Sequence, residues 1–153
     1  MRAIELLRYA IPRVQFTTDV IVGFPGETEE DFLDTYDFVK KARFLNVHIF
    51  PYSKREGTPA AIMKEQIPED VKKERLHRLE DLVHSIRTDI LENEIKTSPI
   101  KDVLIETVKD GIGYGHTSEF IEVAIPASGE LCHETVTVRL VKTDGHICFG
   151  EPL

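Results

Sequence analysis

A β–α–β pattern in the first third of the chain most constrains its fold. The run Val20–Val22 is apolar at three successive positions and lies among β-branched residues. Such a run favours a parallel strand that is buried on both faces. The turn Gly23–Glu27 ends this strand, and a second short strand, 46–50, is broken by Pro51. Because a crossover of about twenty residues is typical of parallel sheets, we predict an α/β fold.

Two helices are predicted from periodicity, besides a short one that ends before Pro12. Thr28 and Asp31 form a near capping box for the first, and the second is expected over 68–96. Positions with steps of three and four mark both helices: Phe32, Tyr36, Val39 and Ala42 or Arg43 in the first, and Leu76, Leu79, Val83, Ile86 and Ile90 in the second. The second stripe is typical either of a face packed on a sheet or of a coiled-coil seam.

The pattern changes at Ser98-Pro99. Residues 99–153 show no helical period, and glycines separate four short runs with partial alternation: 102–108, 120–125, 135–141 and 146–149. Short strands at this density indicate a small all-β barrel, with an OB-like form as one candidate. We therefore predict two domains that pack together, 1–98 with the β/α elements and 99–153 with the barrel.

Composition argues for a cytoplasmic protein outside the membrane. No apolar run approaches the roughly 20 residues of a membrane span, and the first residues do not resemble a secretory signal. Cys132 and Cys148 do not define a disulfide framework. The formal charge is −8, and residues 99–153 hold nine acidic and four basic side chains. Because RNA affinity depends on cations that face phosphates, this acidity argues against RNA binding by residues 99–153 alone.

Two long motifs carry a resemblance to a known family. The segment Thr17–Phe32, TTDVIVGFPGETEEDF, resembles the strand–turn–helix signature of the radical-SAM tRNA methylthiotransferases, the 2-methylthioadenine synthetases. At the family's spacing, Val47–Ala61, VHIFPYSKREGTPAA, resembles their last barrel strand. The tail, with Gly113–Thr117 and Glu134–Arg139, is similar to their C-terminal TRAM domain. The resemblance implies the last strands and helices of a partial (β/α) barrel, followed by a TRAM, OB-like barrel.

The same resemblance implies a function for a longer parent protein. Such enzymes add a methylthio group to C2 of a modified adenosine near the tRNA anticodon, with S-adenosylmethionine and two [4Fe–4S] clusters as cofactors. Residues 17–19 and 50–55 indicate the branch that acts on threonylcarbamoyl-adenosine. The family's cluster-binding Cys-x3-Cys-x2-Cys loop does not occur in this sequence. Since a cluster needs three or four thiolates, we expect the chain alone to be inactive and to bind no cluster, cofactor or metal.

The resemblance also assigns candidate site residues. The candidate cofactor-binding residues are Asp19, Gly23, Gly26, Phe50, Pro51 and Tyr52, and the candidate RNA-binding residues are Lys54 and Arg55. Asp19 matches a position that holds hydroxyl groups of S-adenosylmethionine, the glycines allow close approach, and residues 50–52 meet the adenine. Simpler interpretations stay open: a plain turn at 23–26, a cap at Asp19, a core position at Tyr52, and solvated charges at 54 and 55.

Three further hypotheses remain open. Cys132-His133 with His146-x-Cys148 could form a tetrahedral zinc site, although neighbours on a strand face opposite sides. The chain could instead be a non-enzymatic module that binds RNA or a protein. A β/α barrel with only two of its strands exposes sheet edges, so a homo-oligomer through these edges is also possible.

Overall fold

A computed structural model describes all 153 residues as a mixed α/β structure with two compact units, Met1–Ala10 with Phe16–Ile86 and Ile11–Gln15 with Arg87–Leu153. In chain order the elements are α1 (Arg2–Ala10), β1 (Thr17–Val22), α2 (Glu29–Ala42), β2 (Asn46–Pro51), α3 (Pro59–Ile62), α4 (Glu69–Thr97), β3 (Ile100–Lys109), β4 (Ile112–Thr117), β5 (Glu122–Pro126), a short 3-10 helix (Gly129–Leu131), β6 (Thr135–Thr143) and β7 (Cys148–Pro152). None of these helices has the length and apolar character needed to cross a lipid bilayer.

The first unit contains the predicted β–α–β pattern, which is confirmed. β1 and β2 pair in parallel, and α2 forms the crossover between them. The predicted capping box is also present at the start of α2. The Thr28 Oγ1 atom accepts a hydrogen bond from the Asp31 N–H at 3.1 Å, and Asp31 Oδ2 accepts one from the Thr28 N–H at 2.9 Å.

One face of the two-stranded sheet is open. The expectation that Val20–Val22 is buried on both faces is wrong, because Val22 is 1% exposed but Ile21 is 55% exposed. Phe50, which lies opposite Ile21 on β2, is 52% exposed. A continuous apolar run is typical of a sheet covered on both faces, and nothing in this chain covers the second face. Association through this sheet stays a prediction.

The long predicted helix is confirmed as α4. Its apolar stripe is buried within the chain, with Leu79 fully buried and Val83, Ile86 and Ile90 at most 9% exposed. The stripe is therefore a packing face, and no coiled-coil partner is needed to bury it. The boundary between the two compact units falls inside this helix, after Ile86. The predicted domain boundary at residues 98 and 99 stays a prediction.

The second unit contains a closed five-stranded barrel with the strand order β3-β4-β5-β7-β6, which confirms the predicted small barrel. Neighbouring strands are antiparallel except β5 and β7. β4 is a strand that was not predicted, because its glycines were interpreted as breaks between strands. A Cβ atom on Gly115 would collide with the Leu104 backbone of β3, so glycine here permits close approach of two strands.

A buried ion cluster joins the end of α4 to the barrel. The Lys101 Nζ atom of β3 lies 2.5 Å from Glu94 Oε2 and 3.0 Å from Glu119 Oε1. Lys101 is 5% exposed and Glu94 is 4% exposed, so each charge depends on its partner. Arg13 adds a second cation 3.3 Å from Glu119 Oε1. Segment Ile11–Gln15, the last turns of α4 and the barrel are thus fixed together as one unit.

We predict that acid weakens this cluster through Glu119. Burial alone would raise the pKa of Glu119, but the hydrogen bond and charge of Lys101 outweigh burial and lower this pKa below its ordinary value of 4.5. A carboxyl with a lowered folded-state pKa stabilises the fold above its unfolded pKa, and this contribution disappears as pH falls through the folded pKa. The free energy of unfolding should therefore decrease below pH about 4.5, and Glu119→Gln should weaken this dependence.

Urea unfolding at a series of pH values measures the effect. Glu130→Gln is the matched control, because Glu130 is exposed in the same unit. Equal acid dependence in the two variants would contradict the role given to Glu119.

Candidate functional site

A groove of about 580 Å³ lies at the carboxyl ends of β1 and β2. Its lining combines apolar and aromatic side chains with one cation: Ile21, Phe24, Phe50, Tyr52 and Arg55. The carboxyl ends of parallel strands are where β/α folds bind ligands. The groove is therefore the candidate cofactor site of the first unit.

Asp19 lies on the open face of the sheet, two residues before Ile21. Alternate residues of a strand share a face, so both side chains point to the same side. Asp19 is exposed and lies opposite His48 in the parallel register. The open face thus carries one carboxylate and one imidazole beside the apolar pair Ile21 and Phe50. His48 was not among the predicted site residues. The expected parallel pairing of β1 with β2 could have indicated it, because this pairing places His48 beside Asp19.

The N–H groups of Gly23 and Gly26 already have hydrogen-bond partners within the chain. The Gly23 N–H donates to Glu27 Oε2 at 2.8 Å, and the Gly26 N–H donates to the Glu65 carbonyl at 2.8 Å. Both glycines have positive φ, 71° and 86°. A Cβ atom on Gly23 would also collide with the side-chain stem of Lys72. The requirement for glycine at position 23 therefore has a cause within the chain, and the cofactor role of both glycines stays a prediction.

Hydrogen bonds to its backbone N–H and carbonyl groups hold Tyr52 just after the end of β2. Its N–H donates to the Val22 carbonyl at 2.8 Å, and its carbonyl accepts a hydrogen bond from Lys72 Nζ at 3.0 Å. Its ring packs edge-on against Phe24, with ring centroids 5.3 Å apart. Its hydroxyl is buried and has no hydrogen-bond partner. Phe50 and Pro51, by contrast, are exposed beside it.

Two cations of α4 lie beneath the loops of the groove. Lys72 and Arg75 are each 4% exposed. An Arg75 guanidinium nitrogen donates to the Glu27 carbonyl at 3.1 Å and to Glu27 Oε2 at 2.5 Å. Sequence reasoning missed both residues, although one signal was available. The apolar stripe of α4 continues upstream at positions 72 and 75, so both cations occupy the buried face.

Lys54 and Arg55 are both exposed and line different cavities. Arg55 lines the groove at the strand ends. Lys54 lines a more polar cavity of about 660 Å³ that also includes Gln66, Glu69 and Lys72. The structure therefore places these two predicted RNA contacts at the surface, next to the candidate cofactor groove.

The cysteines do not form a metal centre. Cys148 is fully buried, and this burial raises its thiol pKa to about 11. Cys132 is half-buried, and its Sγ atom lies 3.4 Å from the Glu106 carbonyl. Nowhere in the structure are three or more His, Cys, Asp or Glu side chains arranged to hold a metal ion. The four residues of the zinc hypothesis are thus not brought together.

A second groove, of about 320 Å³, lies on the outer surface of the barrel. It is lined mainly by apolar and aromatic residues, among them Tyr114, Ala124, Val141, Lys142 and Phe149. The Lys142 Nζ atom lies 5.2 Å from the centroid of the Phe149 ring. Aromatic rings beside a cation are a common surface for stacking unpaired bases.

The fold defines a class of protein, a β/α unit with a groove at its strand ends followed in the chain by a small closed β-barrel. No family model matches the chain. Threonylcarbamoyladenosine tRNA methylthiotransferase MtaB of Bacillus subtilis is 40% identical over 139 residues, 89% of this chain and 31% of that protein. Two tRNA-2-methylthio-N(6)-dimethylallyladenosine synthases also match. The Acetivibrio thermocellus protein is 47% identical over 138 residues (87% of this chain, 28% of that protein), and the Aquifex aeolicus protein is 40% identical over 153 residues (100% and 34%).

The chain belongs to this family of tRNA methylthiotransferases, as the sequence motifs predicted. It spans about a third of the length of the curated relatives that it matches. Relatives named for both modified adenosines occur at similar identity, so the choice between them stays a prediction.

We predict that Gly23→Ala destabilises the first unit more than Gly57→Ala does. Gly57 also has positive φ, 81°, but a Cβ atom there would meet no atom within 4 Å. Gly57→Ala should therefore lower the free energy of unfolding by about 1–2 kcal/mol, from backbone strain alone. Gly23→Ala should cost about 1–3 kcal/mol more, because the new methyl group displaces the Lys72 stem. Urea unfolding measures the difference, and equal losses would contradict this packing.

Proposed function

We propose that this chain is the C-terminal portion of a radical-SAM tRNA methylthiotransferase that modifies C2 of threonylcarbamoyl-adenosine near the anticodon. One observation carries the proposal: residues from both of the motifs that resemble this family line the same groove. The first motif contributes Ile21 and Phe24, and the second contributes Phe50, Tyr52 and Arg55. Relatives that match 87–100% of the chain are named as tRNA methylthio-modifying enzymes.

The lining of the groove supports S-adenosylmethionine as its ligand. Ile21, Phe24 and Phe50 offer an apolar surface against which an adenine ring can pack. The exposed Asp19 carboxylate on the same face can accept hydrogen bonds from two ribose hydroxyl groups. When bound beside a reduced cluster, S-adenosylmethionine supplies the radical that activates the adenine C–H bond. In this proposal the chain's own residues orient the cofactor and keep water from one side of it.

The chain's residues do not fit an iron–sulfur cluster. Its two thiols lie at a buried barrel position and a half-buried loop, and no third cysteine is present. A cluster held by thiolates needs at least about three of them. The proposal therefore assigns both clusters to other parts of a longer protein. It predicts that the isolated chain is inactive.

Two features support tRNA as the partner. The barrel has the five strands of an OB fold, a fold that binds oligonucleotides on its second and third strands, which here are β4 and β5. The groove with Tyr114, Ala124 and Phe149 lies on that face. Because residues 99–153 are acidic, the phosphate contacts are assigned to cations elsewhere, among them Lys54 and Arg55. This partner implies a cytoplasmic location.

The enzymatic proposal predicts a specific product in cells. In a bacterial strain without its own tRNA methylthiotransferases, the complete reading frame should restore 2-methylthio-threonylcarbamoyl-adenosine, and this chain alone should restore nothing. Mass spectrometry of tRNA nucleosides measures both products. Restoration of the 2-methylthio derivative of dimethylallyl-adenosine instead would mean that dimethylallyl-adenosine is the substrate. Absence of any methylthio nucleoside, with the protein folded and its clusters present, would favour the non-enzymatic binding module.

A second prediction concerns RNA contacts of the chain itself. Lys54→Ala/Arg55→Ala should weaken binding of an anticodon stem-loop RNA by about tenfold and flatten its salt dependence, because two phosphate contacts are lost. Fluorescence anisotropy at several salt concentrations measures this, with Lys40→Ala/Lys41→Ala on α2 as the charge-matched control. Equal affinity in both double variants would remove Lys54 and Arg55 from the interface.

A further inference from the structure

Two loops contribute residues to the groove at the strand ends. One is the turn Gly23–Glu27 after β1, and the other begins at Tyr52 after β2. Both loops contact the same face of α4, one turn apart. Lys72 reaches the Tyr52 carbonyl at 3.0 Å, and Arg75 reaches the Glu27 carbonyl and carboxylate.

Lys72 links the two loops to each other. Its Nζ atom binds the second loop, with Glu69 Oε1 as a further partner at 2.7 Å. Its aliphatic stem fills the space beside the Gly23 Cα atom of the first loop. This one side chain therefore contacts both loops.

Arg75 fixes the first loop through a relay. Its guanidinium holds the Glu27 carboxylate, and the same Oε2 atom accepts the hydrogen bond of the Gly23 N–H at 2.8 Å. The NH2 nitrogen of Arg75 also lies 3.5 Å from Glu29 Oε2, at the start of α2. Its Nε atom is buried without a partner, so not all of its donors are satisfied in this position.

Stability alone does not explain two buried cations on one helix face. Removing a charge from water costs several kcal/mol, and well-packed apolar residues in its place are often as stable or more stable. What the charged groups add is direction, because each hydrogen bond fixes a particular carbonyl or carboxylate.

We propose that Lys72 and Arg75 are positioning residues that set the geometry of the two loops around the cofactor groove. The inference rests on the proposed function for the identity of the cofactor. Neither side chain lines the groove at the strand ends, so both act through Gly23, Glu27 and Tyr52.

The loop positions can be tested on the 153-residue chain by amide hydrogen exchange. In Arg75→Met the Gly23 amide should exchange at least about tenfold faster than in the unmodified chain. In Lys72→Met the Tyr52 amide should exchange at least about tenfold faster. The amides of the barrel should keep their exchange rates in both variants. Arg75→Lys should restore part of the protection, since it keeps the charge. Lys73→Met, on the exposed side of the same turn, is the matched control and should change neither amide. Unchanged exchange at Gly23 and Tyr52, or a uniform rise across the chain, would overturn the inference.

The complete protein supplies a second readout. With its clusters reconstituted, Lys72→Met and Arg75→Met should raise the KM for S-adenosylmethionine by about tenfold and change kcat by less than about threefold. An unchanged KM in variants with loosened loops would reduce the two cations to a structural role and overturn the inference. A wild-type protein without methylthiotransferase activity would refute the proposed function instead, and amide exchange would still decide whether the two cations position the loops.

Discussion

The first unit depends on how the two buried positive charges of α4 find hydrogen-bond acceptors. Lys72 and Arg75 have almost no access to water, so their donors must find acceptors within the protein. Besides Glu69 at the start of α4, the acceptors are loop groups, the Tyr52 carbonyl and both the carbonyl and carboxylate of Glu27. These bonds add to the backbone hydrogen bonds of the loops, and together they fix the shape of the groove between them.

The second unit uses the same principle for a different purpose. Lys101 is buried between Glu94 of α4 and Glu119 of the β4–β5 connection, and Arg13 also contacts Glu119. There the charges join a helix end to a closed barrel, and the candidate RNA surface lies on another part of that barrel. In both units a basic side chain on or beside α4 fixes elements that are distant in sequence, while apolar burial supplies the driving force.

Much of the fold followed from sequence because its signals are local. The capping box at Thr28, the stripe from Leu79 to Ile90 and the β–α–β spacing each act over a few residues. Strand β4 was missed because its glycines indicate a turn unless the neighbouring strand is known. The open face at Ile21 was missed because an apolar run shows that a strand can be buried, not that this chain contains its cover. The site residues Lys72 and Arg75 were missed because their acceptors lie 20 and 48 positions away.

The most direct test of this account is amide hydrogen exchange of the unmodified chain. If α4 holds both loops, the amides of Gly23 and Tyr52 should exchange nearly as slowly as that of Leu79 in the buried stripe, although neither lies in a helix or strand. If they exchange as fast as the amide of Glu56, which is exposed in the turn that follows Arg55, the loops are not held. The claim that buried cations shape the groove would then be wrong.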